Sequence, residues 1–218
     1  MPPSSDKLVI DSLRDATQAH HAAIDSLLRL DDAPSLAHYV NALHGFASFL
    51  SVWEPRVRDA LPERLHTWFA GRSRLAFVRR DLAHFAAAAA PADPHSAADD
   101  HASPRTTAAR AAVDAIPLGS PAEVFGSLYV LEGSNLGGQL IARRMAERFG
   151  LDAQHGTAFF TGFAAATGAH WREFRARLES EVGNDAAART AASHAACATF
   201  DALALTFRST GFDEPIAA

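Results

Sequence analysis

Two adjacent histidines, His20 and His21, lie in the middle of a segment with apolar residues at helical spacing. Both are at helical spacing from the apolar residues Leu13 and Ile24. The spacing of the apolar residues is therefore compatible with either histidine pointing inward. A neutral imidazole on the apolar face of a helix is a candidate iron ligand. The ordinary alternative is a core histidine that bonds a backbone carbonyl.

A second unusual segment spans residues 128–144, where an apolar helical pattern contains Gly133, Gly137 and Gly138. Each glycine inside a helix costs about 1 kcal/mol relative to alanine, and this chain uses alanine freely elsewhere. The glycines therefore indicate that something approaches the backbone more closely than a Cβ permits, or that the helix bends. Tight packing between two helices is the alternative.

Together, an inward histidine and a helix with bare backbone are what binding a haem between two helices requires. The histidine ligates the iron from one face, and the glycines let the other helix lie close to the porphyrin. The two haem propionates favour arginines at the edge of the pocket. Arg14 lies two turns before His21, and Arg172 and Arg175 lie on a late helix. A solvated helix face with glutamate partners is the alternative for these late arginines.

Other metal chemistry has weaker support in the sequence. Residues 63–66 read Glu-x-x-His, and residues 81–84 and 152–155 are aspartate versions of that motif. A di-iron site needs two such motifs and two further glutamates on long inward-facing helices. The segment around residue 63 is instead a short connection after a proline. Zinc-protease, phosphate-loop and serine-hydrolase motifs are absent.

Composition limits the remaining possibilities. The chain has 218 residues, a formal net charge of -5 and a single cysteine, Cys197. One cysteine excludes an internal disulfide framework and a cysteine-based zinc or iron–sulfur site. The acidic balance makes nucleic acid an improbable partner, and no apolar run reaches the roughly 18 residues of a membrane span. We therefore expect a bacterial-type cytoplasmic protein without a secretory signal or membrane partner.

Nearly all of the chain has a helical pattern, and strand signals are missing. Ser120, followed by Pro121 and Glu123, predicts the start of the glycine-bearing helix, and Pro55 predicts a kink or interruption. Residues 86–105 predict a surface loop, and residues 210–218 predict a frayed tail. The other helices are predicted at about residues 6–30, 36–60, 62–69, 72–88, 106–115, 157–181 and 185–209. We predict a single all-α domain over residues 1–218 with seven or eight helices.

The sequence resembles the haem oxygenase family, in particular the bacterial biliverdin-producing type found with bacteriophytochromes. Residues 13–25, LRDATQAHHAAID, are similar to the proximal-helix pattern of the family, and YVLEGSNLGGQLIARR resembles its distal helix. The order and separation of the two segments also agree with the family. The resemblance implies a helical fold with haem held between the proximal and distal helices.

The resemblance also implies roles for individual residues. His21 is the proximal iron ligand, and Arg14 and Arg175 are propionate partners, with Arg172 beside Arg175 on the same helix. Tyr129 lies near a tyrosine position that some members use at the edge of the pocket. The distal residues implied are Gly133, Ser134, Asn135, Gly137 and Gly138.

One departure concerns Ser134, which stands where mammalian-type enzymes carry an aspartate beside bound oxygen. Neither Ser134 nor the following Asn135 carries a negative charge, although both can hydrogen-bond water. The resemblance implies that haem is both cofactor and substrate. O2 and external electrons would cleave it to biliverdin, carbon monoxide and ferrous iron. A ferredoxin or flavin reductase would supply electrons, and a bacteriophytochrome would use the product.

Two other functions stay open at this point. One is a non-catalytic haem binder or carrier of the same fold, in which Ser134 marks a lost oxygen-activation network. The other is a helical enzyme acting on a small cofactor precursor, as thiaminase-like proteins do. The second would have no need for the glycines.

Overall fold

The computed structural model describes residues 7–32, 34–89 and 104–212. Within them are α1 (Val9–Leu28), α2 (Leu36–Ala60), α3 (His66–Ala70), α4 (Leu75–Ala89), α5 (Pro104–Asp114), α6 (Pro121–Phe149), α7 (Ala158–Thr161), α8 (Thr167–Val182) and α9 (Ala186–Ser209). Seven of these helices have eleven residues or more, whereas α3 and α7 are single turns. The described residues contain no strand, so the all-α prediction is confirmed.

Local sequence signals fix the N-terminal ends of the helices α6 and α9. The Ser120 hydroxyl accepts a hydrogen bond from the backbone N–H of Glu123 at 3.3 Å, and Pro121 is the first residue of α6. Asp185 accepts from the N–H of Ala188 at 2.8 Å and begins α9 in the same way. Each cap satisfies a donor that the first helical turn leaves without an intrahelical partner.

Pro55 does not interrupt α2, because the helix continues to Ala60, so of the two predicted effects the interruption was wrong. Proline removes one backbone donor, but Trp53, Glu54 and Val57 around it are buried against the rest of the protein. Tertiary packing of this helix outweighs the single lost hydrogen bond.

The helix predicted over residues 157–181 is in fact two helices, α7 and α8. Gly162 and Ala164 between them both have positive φ, 56° and 48°. This left-handed backbone ends α7 after one turn and separates it from α8. As a result α7 is an independent short element that packs against α6 and α4.

The predicted surface loop and tail are shorter than expected where the structure describes them. Residues 86–89 belong to α4, α5 begins at Pro104, and residues 90–103 lie outside the described residues. At the other end Thr210 and Phe212 are buried, with Phe212 against Phe207, so residues 210–212 are packed and not frayed. Residues 213–218 lie outside the described part.

The longest helix, α6, lies against α7, α8 and α9, while α1 packs on α9. The crossing of α6 and α9 is close because Gly126 has no side chain. A Cβ built at Gly126 would overlap the backbone carbonyl of Ala192 on α9. A bare position in the first half of α6 thus lets this helix pack directly on the backbone of α9, the helix that α1 also contacts. None of the described helices is long and apolar enough to cross a lipid bilayer.

We expect Gly126→Ala to lower the free energy of unfolding by about 1–3 kcal/mol, because the added methyl group forces α6 away from α9. Gly168→Ala in α8 is the matched control, since its nearest neighbour would be the end of the Arg172 side chain at 3.6 Å. The control should be neutral or slightly stabilising. Thermal unfolding followed by circular dichroism measures both. Equal stability of Gly126→Ala and the wild type would contradict the close crossing.

Candidate functional site

Two adjoining cavities lie between α1 and α6, with α9 closing one side. Their volumes are about 290 Å³ and 460 Å³. Both are lined by the same five residues: His21, Val130, Gly133, Ser134 and Phe200. The sequence-predicted histidine and two of the predicted distal residues therefore meet around one space, although they are more than 100 positions apart in the chain.

His21 is held by a carboxylate one turn further along α1. Its Nδ1 lies 2.9 Å from Oδ2 of Asp25, and the side chain is 59% exposed. The hydrogen bond to Asp25 raises the pKa of His21, with partial burial opposing it. When the imidazole is neutral, an Nδ1–H that donates to Asp25 leaves the lone pair on Nε2. Carboxylates commonly orient metal-binding histidines in this way.

His20 has a different environment. It lines neither of these cavities, its Nε2 is 3.7 Å from Asp201, and its buried Nδ1 has no hydrogen-bond partner among the described residues. The choice between the two histidines, which periodicity left open, is therefore resolved in favour of His21 as the residue that faces the cavity.

The three glycines of α6 differ in what surrounds them. A Cβ at Gly137 would have no described atom within 4 Å outside its own helix backbone, and one at Gly133 would approach only Tyr129 at 4.0 Å. A Cβ at Gly138 would instead lie 2.9 Å from the backbone oxygen of Phe160 on α7. Gly133 and Gly137 thus give the cavity a bare wall, whereas Gly138 also lets α7 pack against α6.

The predicted propionate partners fall into two groups. Arg14 and Tyr129 line the larger of the two cavities, together with Gln18. The Arg14 side chain is 65% exposed and bonds Asp11 at 2.9 Å, so the guanidinium lies at the mouth. Arg172 and Arg175 on α8 line neither cavity, so the structure does not bring them together with the others.

The distal helix position Ser134 is exposed to both cavities. Its hydroxyl lies 3.1 Å from Nη1 of Arg74 and donates to the backbone oxygen of Leu131 at 2.9 Å. The predicted distal residue Asn135 belongs to α6, but its side chain lies outside what the structure describes.

Arg74 is a site residue that the sequence analysis missed. It lines the 290 Å³ cavity, is only 4% exposed, and donates from Nη2 to the backbone oxygen of Phe159 at 2.7 Å. Burial lowers its pKa to about 10, which leaves the guanidinium charged at neutral pH. A usable signal was present: the positions three and four residues away, Ala70, Gly71, Phe77 and Val78, carry no charge that could pair with it.

Further charges are buried behind α6. Glu132 accepts from Arg72 at 2.8 Å, and Arg72 also donates to Glu173 on α8 at 2.9 Å. Burial raises the pKa of Glu132, with Arg72 opposing the shift. Removing one partner of such a pair typically costs about 3–5 kcal/mol, because it leaves the other charge buried alone. The pairing fixes α6 at the residue that precedes Gly133.

A buried carboxylate holds α7 in place beside the cavity. Asp81 on α4 accepts from the backbone N–H groups of Ala158 and Phe159, each at 2.8 Å. Phe159 and Phe160 on α7 line the smaller cavity, and both rings contact Phe46 from α2. Two elements, α2 and α7, therefore contribute an apolar end to the cavity, and α4 holds α7 in place there.

The other candidate sites do not gain support. Within the described residues, no three histidine, cysteine, aspartate or glutamate side chains form a group that could hold a metal ion. His66 bonds the backbone oxygen of Leu61 at 2.9 Å, so the Glu-x-x-His segment is satisfied locally. A more open groove of about 710 Å³ between α2 and α4 contains none of the sequence-predicted site residues.

The arrangement fits a flat apolar ligand that carries a metal. The cavity has apolar ends, a histidine whose Nε2 is left for coordination, and a helix wall where a Cβ at Gly137 would occupy open space. An arginine and a tyrosine lie at its mouth, where carboxylates of a ligand would remain in contact with water. These are the features that a haem with two propionates requires.

Comparison with known proteins gives a curated relative that matches part of the chain. A curated protein described as a haem oxygenase, from Xanthomonas campestris pv. campestris (strain 8004), is 44% identical over 85 residues. That match covers 38% of this chain and 49% of the relative, so it spans about half of the relative's length.

Two solved structures share the fold. One is the NO- and CO-bound haem oxygenase from Neisseria meningitidis, with 21% identity, a TM-score of 0.66, and coverage of 97% of this chain and 95% of that one. The other is the haem oxygenase from Leptospira interrogans, with 19% identity, a TM-score of 0.68, and coverage of 94% and 98%. At these identities the likeness concerns the fold alone.

The protein-family model described as "Heme oxygenase" matches residues 8–208. The matched range includes α1 with His21 and all of α6, and it leaves out only a few residues at each end of the chain. Because the match extends over most of the sequence, the chain belongs to the haem oxygenase family.

Proposed function

We propose that this protein is a haem oxygenase that cleaves haem to biliverdin, carbon monoxide and ferrous iron, using O2 and external electrons. The proposal rests on the observation that two different helix surfaces line the same cavity. On α1 the imidazole of His21 is oriented by Asp25, and on α6 the backbone at Gly133 and Gly137 has no side chain. Membership of the family supports the same conclusion.

The residues of the chain would act by holding and orienting the substrate. Nε2 of His21 would bind the iron, and Asp25 would keep the other ring nitrogen protonated and the ring fixed. Arg14 and Tyr129 at the mouth would hold the propionates and so determine which edge of the ring lies deepest. When bound, haem supplies both the iron centre for oxygen chemistry and the ring that is opened.

The distal wall would control what else can enter. With no Cβ at Gly133 and Gly137, the helix backbone would lie close to the ring and leave room for a diatomic molecule. Phe159 and Phe160 would exclude bulk water at the inner end. Ser134 would hold ordered water by hydrogen bonding. We propose that Asn135 also holds ordered water, because it follows Ser134 in the distal motif.

Arg172 and Arg175 are proposed as additional propionate partners on the family pattern alone. On α8 they lie away from the lining of both cavities, so they would act only on a ligand that extends beyond the mouth. Arg14 has the stronger support, because it lines the cavity that His21 also lines.

We further propose that electrons come from a separate ferredoxin or flavin reductase in the cytoplasm, and that a bacteriophytochrome uses the bilin. The lone Cys197 supports an external donor, since an iron–sulfur cluster needs several thiolates. Neutral Ser134 favours one competing function, a haem carrier without turnover.

An assay of haem turnover distinguishes a haem oxygenase from a haem carrier. The protein loaded with hemin should develop the absorption bands of biliverdin when ascorbate or a ferredoxin–reductase pair is added under air. A carrier would keep its Soret band unchanged under the same conditions. A Soret band that stays the same as that of free hemin when the protein is added would contradict both functions and favour a ligand of another class.

We expect His21→Ala to abolish the spectrum of histidine-ligated haem, because it removes the only described imidazole that lines the cavity. His20→Ala is the matched control on the same helix and should leave the Soret band nearly unchanged. Absorption titration with hemin measures both. The opposite pattern would assign the iron to His20.

We expect different effects at neighbouring glycines. Gly138→Ala should destabilise the protein without haem by about 1–3 kcal/mol, because its Cβ meets the backbone oxygen of Phe160 at 2.9 Å. Gly137→Ala should preserve or slightly raise that stability but weaken hemin binding, since its Cβ enters the open space of the cavity. Thermal unfolding and hemin titration give the two readouts. Tight hemin binding and full turnover by Gly137→Leu would disprove the close approach.

A further inference from the structure

The hydrogen bonds of Ser134 restrict where its proton can be. Its oxygen lies 3.1 Å from Nη1 of Arg74, and it lies 2.9 Å from the backbone oxygen of Leu131. A guanidinium only donates, so Ser134 must accept from Arg74. A carbonyl only accepts, so the hydroxyl proton points to Leu131. Both the Arg74 N–H and the hydroxyl proton are therefore engaged in hydrogen bonds within the protein.

One lone pair of the Ser134 oxygen then remains. A hydroxyl has one proton and two acceptor lone pairs, and Arg74 occupies one of these. Ser134 is exposed and lines both cavities. The free lone pair is therefore the part of the group that is available to the cavity, and the proton is not.

Arg74 is fixed strongly enough to enforce this arrangement. Its backbone N–H donates to Glu54 at 2.8 Å, its Nη2 donates to Phe159 at 2.7 Å, and its guanidinium carbon lies 4.3 Å from the centre of the Phe159 ring. The side chain is 4% exposed, which leaves no solvent into which it could swing. Moving the guanidinium away from Ser134 would also disturb its hydrogen bond to the Phe159 backbone oxygen and its contact with the Phe159 ring.

We propose that Arg74 is a positioning residue that makes Ser134 a hydrogen-bond acceptor, and not a donor, toward the ligand cavity. The inference rests on the proposed function. It explains how a neutral serine can do part of the work of an aspartate at the same place, because both groups then accept a hydrogen bond from water. It also gives a buried arginine, 60 positions away from Ser134, a role on the distal side.

Two small ligands of ferric haem distinguish an acceptor from a donor. Water carries protons and is stabilised by an acceptor, whereas fluoride carries none and is stabilised by a donor. In the hemin-loaded protein, we expect Ser134→Ala to lower the fraction of water-coordinated ferric haem severalfold. The fluoride dissociation constant of the five-coordinate haem, obtained after correction for the water that fluoride displaces, should change less than about twofold. Absorption and resonance Raman spectra report both quantities.

A double-mutant cycle tests the part played by Arg74. Ser134→Ala should have a much smaller effect on water coordination in an Arg74→Met background than in the wild type, since the hydroxyl is no longer positioned. In an Arg74→Lys background the full effect should return, because lysine still donates. The loss of positive charge at position 74 is the same in the single Arg74→Met variant and in the double variant with Ser134→Ala. Its effect on water coordination therefore cancels when these two proteins are compared. If Arg74→Met does not fold, the cycle is run with Arg74→Gln, whose uncharged side chain is too short to reach Ser134, and the same loss of the Ser134→Ala effect is expected.

Each other outcome overturns the inference. Fluoride binding weakened about fivefold or more by Ser134→Ala would mean that the hydroxyl donates into the cavity. No change in either ligand would mean that it faces elsewhere. An equal Ser134→Ala effect with Met and with Arg at position 74 would remove the role of Arg74. Absence of haem binding by the wild type would instead overturn the proposed function, and this inference with it.

Discussion

The bare backbone of α6 is the constraint on which the rest of the structure depends. At Gly126 and Gly138 the missing side chain lets neighbouring backbone come close, from Ala192 on α9 and from Phe160 on α7. At Gly137 it leaves open space. One helix therefore uses the same residue type both to pack tightly and to keep a wall of the cavity empty. The first use makes the second possible, because tight packing fixes where the empty wall lies.

A helix that carries several glycines needs support from elsewhere, since each costs about 1 kcal/mol relative to alanine. Buried charges behind α6 supply part of it. Glu132 pairs with Arg72, and Arg74 reaches the backbone of Leu131 at 3.3 Å and the Ser134 hydroxyl. These contacts fall on the turns of α6 beside the cavity, where the helix has few side chains of its own to pack.

The helices that depend on local sequence patterns were predictable, whereas features that depend on contacts between distant segments were not. Periodicity and the Ser120 cap are local, and they correctly predicted most of the long helices, including the start of the glycine-bearing helix α6. The break after α7 involves positive φ at both Gly162 and Ala164, and no sequence pattern favours that conformation for alanine. The choice of His21 over His20 needed the position of α9, and the partnership of Arg74 with Ser134 needed two segments 60 positions apart.

The two sides of the cavity use charge in opposite ways. On α1 the Asp25 carboxylate is exposed and orients His21 through a single hydrogen bond in contact with solvent. On the α6 side the Arg74 guanidinium is buried and makes several bonds to backbone and hydroxyl. A negative group behind the imidazole makes it a better electron donor, and a positive group behind the other face favours electron-rich ligands there. The polarity across the cavity therefore runs in one direction, which would suit the proposed function, because electron density would then be drawn from the α1 side to the α6 side.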